Sequence, residues 1–131
     1  NAIIYQQNWL PAEKIGLLLK RSRIGLWVFN PRNWRMSQAV PLKVLEYCAA
    51  GLPVLSINTP LMRDLVEGNG IGLCCEYHST AIAKTAGEIL RLPADEYRAI
   101  SRRAMKLIDE RYNWEAVEPS LLQVVQDLLP E

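Results

Sequence analysis

Lys43 and Glu46 lie within the segment Pro41 to Leu55, PLKVLEYCAAGLPVL, and their spacing suggests a definite chemistry if that segment opens a helix. One turn separates the two side chains, so both emerge near one face. The first amides of a helix have no intrahelical acceptor and carry partial positive charge, which suits the amides around Val40, Leu42 and Lys43 to a phosphate. Proline costs nothing at position 41, where its missing N–H would go unpaired in any case. Lys43 adds a cation. The two carboxylate oxygens of Glu46 can accept hydrogen bonds from vicinal hydroxyls such as those of a ribose. Spacing alone also supports an ordinary reading, a solvent-exposed i,i+3 ion pair that contributes little.

The elements around this segment decide whether such a helix end faces a ligand. Ile3 to Gln6 reads as a short strand and Pro11 to Ser22 as a helix with a proline in its first turn. Ile24 to Phe29, IGLWVF, is an almost continuous apolar run, as expected of a parallel strand covered on both faces. The polar loop Asn30 to Val40 leads to a helix over Pro41 to Ala50, closed by Gly51, and Pro53 to Ile57 returns as a buried strand. Within that helix Leu42, Leu45, Ala49 and Leu52 form an apolar stripe, with Lys43, Glu46, Tyr47 and Ala50 on another face. Leu61 to Glu67 reads as a short helix, Gly68 to Gly72 as a turn, and Leu73 to Glu76 as a strand. A helix capped by Ser79 or Thr80 runs to about Leu92, another runs from Pro93 or Ala94 to Arg111, and an amphipathic one from Trp114 to Leu129. Alternating strands and helices followed by helices alone predict an α/β fold, a Rossmann-like parallel sheet with flanking helices and a helical C-terminal cover. Ligands of such sheets bind at the carboxyl ends of the strands. The loop Asn30 to Val40 lies there.

Composition bounds the alternatives. The chain has 131 residues, half of them hydrophobic, and 22 % are charged with a net charge of +1. That size fits one domain, and the balance offers no broad basic footprint for nucleic acid. No apolar run reaches membrane length. Three cysteines, two of them adjacent at Cys74 and Cys75, together with a single histidine at His78, suit neither a disulfide framework nor a metal site. Reduced thiols in a cytoplasmic protein are the expectation. Gly68, Gly70 and Gly72 precede a strand and do not join a strand to a helix, so they are read as a turn and not as a phosphate loop. His78 is given no catalytic role.

The order P-x-K-x-x-E-Y-x-A-x-G-x-P-V, here PLKVLEYCAAGLPV, resembles the donor-binding segment of glycosyltransferases with two Rossmann-like domains, the GT-B fold of group 1 type. Further pieces in the same order are NWLP after the first strand, SRIGLWVF, VEGNGIGL and the late ERYNWE. The resemblance covers nearly the whole chain and implies a nucleoside-diphosphate sugar as substrate, with no metal or other cofactor. It makes Glu46 the ribose ligand and Gln38, Ala39, Val40, Pro41, Leu42 and Lys43 the rest of the donor-binding set. It places backbone contacts to the base at Trp9 and Leu10. It also implies retention of anomeric configuration by a metal-independent front-face displacement. The acceptor, a glycan or a lipid-linked group, would be held by an N-terminal domain, so the chain is expected to be a fragment of a longer enzyme with little activity alone. Cytoplasmic placement, with peripheral attachment of the full-length protein to the inner face of the membrane, belongs to the same expectation.

One departure from the family pattern bears on catalysis. Many members carry a second glutamate eight positions before the ribose ligand, and here that position is Gln38. An amide hydrogen-bonds sugar hydroxyls but brings no charge to an oxocarbenium-like transition state. The basic phosphate ligands and glycine-rich loop that the family places upstream are also absent. Arg32, Trp34 and Arg35 form a basic-aromatic cluster suited to a donor sugar or to the diphosphate of a lipid-linked acceptor, or simply a solvated loop. Trp114 and Tyr112 are expected to anchor the last helix. Two other functions fit the same scaffold: a sugar-nucleotide epimerase, which would need more catalytic carboxylates and histidines than this chain offers, and a non-catalytic α/β binding module.

Overall fold

The computed structural model describes residues 9–129; the strand expected over Ile3 to Gln6 lies outside them. Three strands, β1 (Gly25–Trp27), β2 (Val54–Ile57) and β3 (Gly72–Cys75), form a parallel sheet in the order β1-β2-β3. Gly25 pairs with Val54 and Leu26 with Leu55, and Leu55 pairs with Leu73 and Ile57 with Cys75. The helices are α1 (Ala12–Lys20), α2 (Trp34–Gln38), α3 (Leu42–Ala49), α4 (Pro60–Met62), α5 (Ser79–Leu90), α6 (Ala94–Arg111) and α7 (Trp114–Leu128), and α4 runs on into a π-helical turn over Arg63–Glu67. This is the Rossmann-like α/β arrangement expected, with strands and helices alternating up to β3 and helices alone, α5 to α7, after it.

The central strand carries the core. All four residues of β2 are buried, and Val44 and Cys48 of α3, Met62, Val66, Ile71 and Ile89 of α5 close around them. The register sorts side chains by face, because successive residues of a strand point oppositely. A side chain at Gly25 would run into the Tyr47 ring, so α3 covers the face that carries Gly25, Trp27, Ser56 and Cys74. Cys75 is hydrogen-bonded by Thr85, so α5 covers the opposite face, shared with Leu26, Leu55 and Leu73. There the expected two-sided burial of the IGLWVF strand holds only in part. Leu26 is 48 % and Val28 39 % exposed, because among the described residues α5 packs on β3 and leaves that side of β1 bare. An apolar run reports that a strand belongs to a parallel sheet; it does not report which neighbours cover it.

Local chemistry fixes the joints. Gly51 ends α3 at φ 69°, the left-handed conformation that favours glycine, and its α-carbon faces Ser101 and Met105 of α6. At the other end of α3, Val40 shares a small cleft with Arg111 and Tyr112, so α6 runs antiparallel to α3. Thr59 caps α4, accepting from the Met62 amide at 3.3 Å with Pro60 in the first turn. The cap of α5 is His78 itself, whose Nδ1 accepts from the Thr80 amide at 3.3 Å, and not Ser79 or Thr80. That gives the single histidine a structural role. Trp114 is 61 % exposed and is not packed on the core; Asn113 ties the start of α7 to the end of α6, receiving the Ala116 amide at 2.7 Å while its own amide donates to the Ile108 carbonyl at 3.1 Å. Tyr112 is half-buried against the core as expected.

Candidate functional site

The site grows from the entry to α3. Pro41 stands just before the helix in extended geometry, φ −77° and ψ 131°, and its carbonyl accepts from the amides of both Val44, at 3.0 Å, and Leu45, at 3.4 Å. The amides of Leu42 and Lys43 find no acceptor among the described residues, as an anion-receiving helix start requires. The helix docks through Val44 and Cys48, both fully buried, while Leu42 is 70 % exposed. Of the expected stripe of Leu42, Leu45, Ala49 and Leu52, Leu42 and Ala49 therefore face outward and Leu45 is half-buried, while Leu52, beyond the helix end, is buried. Tyr47 sets the rotation of the helix by lying over Gly25 and donating its hydroxyl to the Leu26 carbonyl at 3.3 Å.

Lys43 and Glu46 are both exposed, and no ion pair joins them. The i,i+3 ion pair of the ordinary reading is not formed, and the Glu46 carboxylate has no salt-bridge partner among the described residues. It lines a cleft of about 480 Å³ between α1 and α3 with Lys20, Ile15 and Leu19 of α1, Ala50, and Met105 of α6. Apolar walls with one carboxylate and one ammonium can take a flat apolar group beside a polyhydroxyl one.

Gln38 opens elsewhere. It ends α2, inside the stretch expected to be loop, and lines a second cleft of about 410 Å³ with Ser37, Asn58 and Thr59. That cleft sits at the carboxyl ends of β1 and β2, where ligands of parallel sheets bind. Ala39, extended at φ −112° and ψ 136°, joins the two regions, and Val40 borders a third cleft of about 190 Å³ with Arg111 and Tyr112. Arg35 stacks on Trp34, its guanidinium 5.7 Å from the ring centroid, and the Arg32 amide closes a turn on Asn30 Oδ1 at 3.0 Å. All three side chains of this cluster are exposed and none lines the Gln38 cleft. Trp9 is fully exposed and Leu10 half-buried, and neither lines the Glu46 cleft.

Sequence reasoning missed Asn58 and Thr59. The available signal was a polar Asn-Thr pair at the carboxyl end of a buried strand, which reads first as strand exit and helix cap. The cysteines supply no nucleophile. Burial pushes the Cys48 thiol up to about 11, and burial followed by the neighbouring Glu67 carboxylate pushes Cys74 up to about 12.

Residues 6–107 match the family model described as glycosyl transferases group 1. This chain belongs to that family. Over 92 residues it is 26 % identical to the putative colanic acid biosynthesis glycosyltransferase WcaL of Escherichia coli (strain K12), and to the same extent to the protein so named in Salmonella typhimurium. Each stretch covers 70 % of this chain and 23 % of the relative, so the chain accounts for only a minor part of the length of these curated relatives. No solved structure matches. The parallel sheet with flanking helices is consistent with a Rossmann-like domain of this family.

Proposed function

We propose that the chain is the donor-binding part of a glycosyltransferase of GT-B architecture, and that it binds a nucleoside-diphosphate sugar whose glycosyl group passes to a glycan or lipid-linked acceptor. The observation that carries this reading is the open Glu46 carboxylate one turn inside a helix whose Leu42 and Lys43 amides lack acceptors. The diphosphate is received by those amides and by Lys43, and the ribose hydroxyls donate to Glu46. The donor sugar extends toward Gln38, past Ala39 and Val40. What these residues do is bind and orient. Gln38 is a neutral amide and gives no electrostatic stabilisation to positive charge developing on the sugar, so catalytic charge must come from the leaving diphosphate and from groups outside this set. The WcaL relatives are named for colanic acid biosynthesis, which supports a glycan product for the pathway served. Among the described residues no helix is long and apolar enough to cross a membrane.

Calorimetric titration of UDP-, GDP- and ADP-sugars against the full-length protein tests the site. One of them is expected to bind, and Glu46→Ala should weaken it by roughly tenfold to a hundredfold, the value of one or two charge-assisted hydrogen bonds. If no sugar nucleotide binds, or if Glu46→Ala binds as the wild type does, the reading is wrong.

A further inference from the structure

The cleft at the carboxyl ends of β1 and β2 is distinct from the one that holds Glu46, and its chemistry is different in kind. Among the described residues no ionisable side chain lines it: its polar walls are Ser37, Gln38, Asn58 and Thr59. Two of those groups are already engaged. Ser37 Oγ donates to the Pro31 carbonyl at 3.1 Å, and Thr59 Oγ1 accepts from the Met62 amide. Asn58 is held from behind, its Nδ2 donating to Glu76 Oε1 at 3.0 Å. A carboxylate can only accept, so this contact fixes which way the amide points and leaves Asn58 Oδ1 as a free acceptor. The Gln38 amide, with two donors and an acceptor, makes no side-chain hydrogen bond among the described residues.

From this geometry we infer that Asn58 is a specificity-determining residue for the sugar end of the donor, that Glu76 positions it, and that the pair selects an uncharged sugar ring. Two primary amides across a cleft of about 410 Å³ offer donors and acceptors to ring hydroxyls, and the volume is within the range of small-ligand sites. A phosphate or a uronate carboxylate finds no cation there, and the Glu76 carboxylate behind Asn58 repels it. Asn58 follows β2 directly and Gln38 ends α2, so the sheet and one short helix preset the distance between the two amides. The inference rests on the donor reading above, which sends the sugar end of the donor toward Gln38.

Paired titrations of the full-length protein separate the two claims. Each of UDP, GDP and ADP is compared with its neutral hexose conjugate, and UDP with UDP-glucuronate. Asn58→Ala should lower the affinity for the hexose conjugate about tenfold while leaving the bare diphosphate within about twofold, the loss of one hydrogen bond. Glu76→Ala should reproduce part of that loss, and Glu76→Gln, which keeps an acceptor for Asn58 Nδ2, should restore it. The glucuronate conjugate should bind more weakly than the neutral one. If Asn58→Ala weakens conjugate and diphosphate equally, or neither, or if the glucuronate conjugate binds as tightly as the neutral one, the Asn58 assignment is refuted while a Glu46-dependent diphosphate affinity keeps the donor reading. Absence of any nucleotide binding by the wild type overturns both.

Discussion

At Gly72 the sheet leaves no space for a side chain. The residue opens β3 opposite Val54, and a β-carbon there would collide with the Val54 carbonyl and its flanking backbone atoms. Backbone cannot step aside as a flexible side chain can. Gly72→Ala should therefore force β3 away from β2 and lower stability by about 2–4 kcal/mol, the range of strongly destabilising single substitutions, seen as a lower midpoint in urea denaturation. Gly16 provides the contrast, since nothing lies within 4 Å of a β-carbon built on it and it sits inside α1. Gly16→Ala should be neutral or stabilising by up to about 1 kcal/mol in the same measurement, through helix propensity and a less free unfolded chain. Sequence reading treated Gly72 as part of a turn, and only the register with Val54 reveals its steric role. For Glu46 the opposite held: its motif marked it in the sequence, and the structure contributed the open carboxylate.

Among the elements, α3 and α7 differ in what holds them. α3 is fastened by Val44 and Cys48 in the core and by Gly51 against α6, so its N-terminus is presented rigidly. α7 buries no residue and carries Pro119 within it, where the ring removes a hydrogen bond. Its attachment depends on Asn113, which caps α7 and ties back to the end of α6. Asn113→Ala should cost α7 about 1 kcal/mol and appear in hydrogen exchange as faster amides over Val117 to Leu128, with α6 protection unchanged around Ala104 and Leu107. An equal loss in both helices would show that they open together. The boundaries of both helices were legible from periodicity and capping residues. The rotation of α3 was not, because its sequence offers two apolar stripes and the choice between them is made by Tyr47 lying over Gly25, far away in sequence.

Folding raises the titration of several thiols and one phenol. Cys48 and Cys74 stay protonated up to about 11 and about 12, whereas the unfolded chain releases such thiols near 9.0. Cys75 is raised in the same direction by burial, as is Tyr47 from 10.0, by burial and then the Glu46 carboxylate. Above pH 9 the unfolded state therefore binds fewer protons than the native one, so stability falls as pH rises toward the folded values; below pH 9 these groups add no slope. Urea midpoints measured across this range should decline from pH 9 upward, and Cys48→Ala should flatten part of the decline. Native thiols should resist alkylation by iodoacetamide at neutral pH and react once unfolded.

What the sequence determined by itself is whatever depends on neighbours a few residues apart: the alternation of strands and helices, the helix that starts after Pro41, its closure at Gly51, and a lysine and glutamate one turn apart. The family pattern added the role of Glu46. Tertiary structure alone decided that Val44 and Cys48 face inward, that Lys43 and Glu46 do not pair, that among the described residues nothing covers Leu26 on one side of β1, and that Gln38 and Asn58 line a cleft separate from that of Glu46. These outcomes turn on contacts between residues distant in sequence, such as Tyr47 over Gly25, Ser101 beside Gly51 and Glu76 behind Asn58. Local periodicity carries no information about which distant segment fills the space beside a given face, and it is that choice which shapes the clefts.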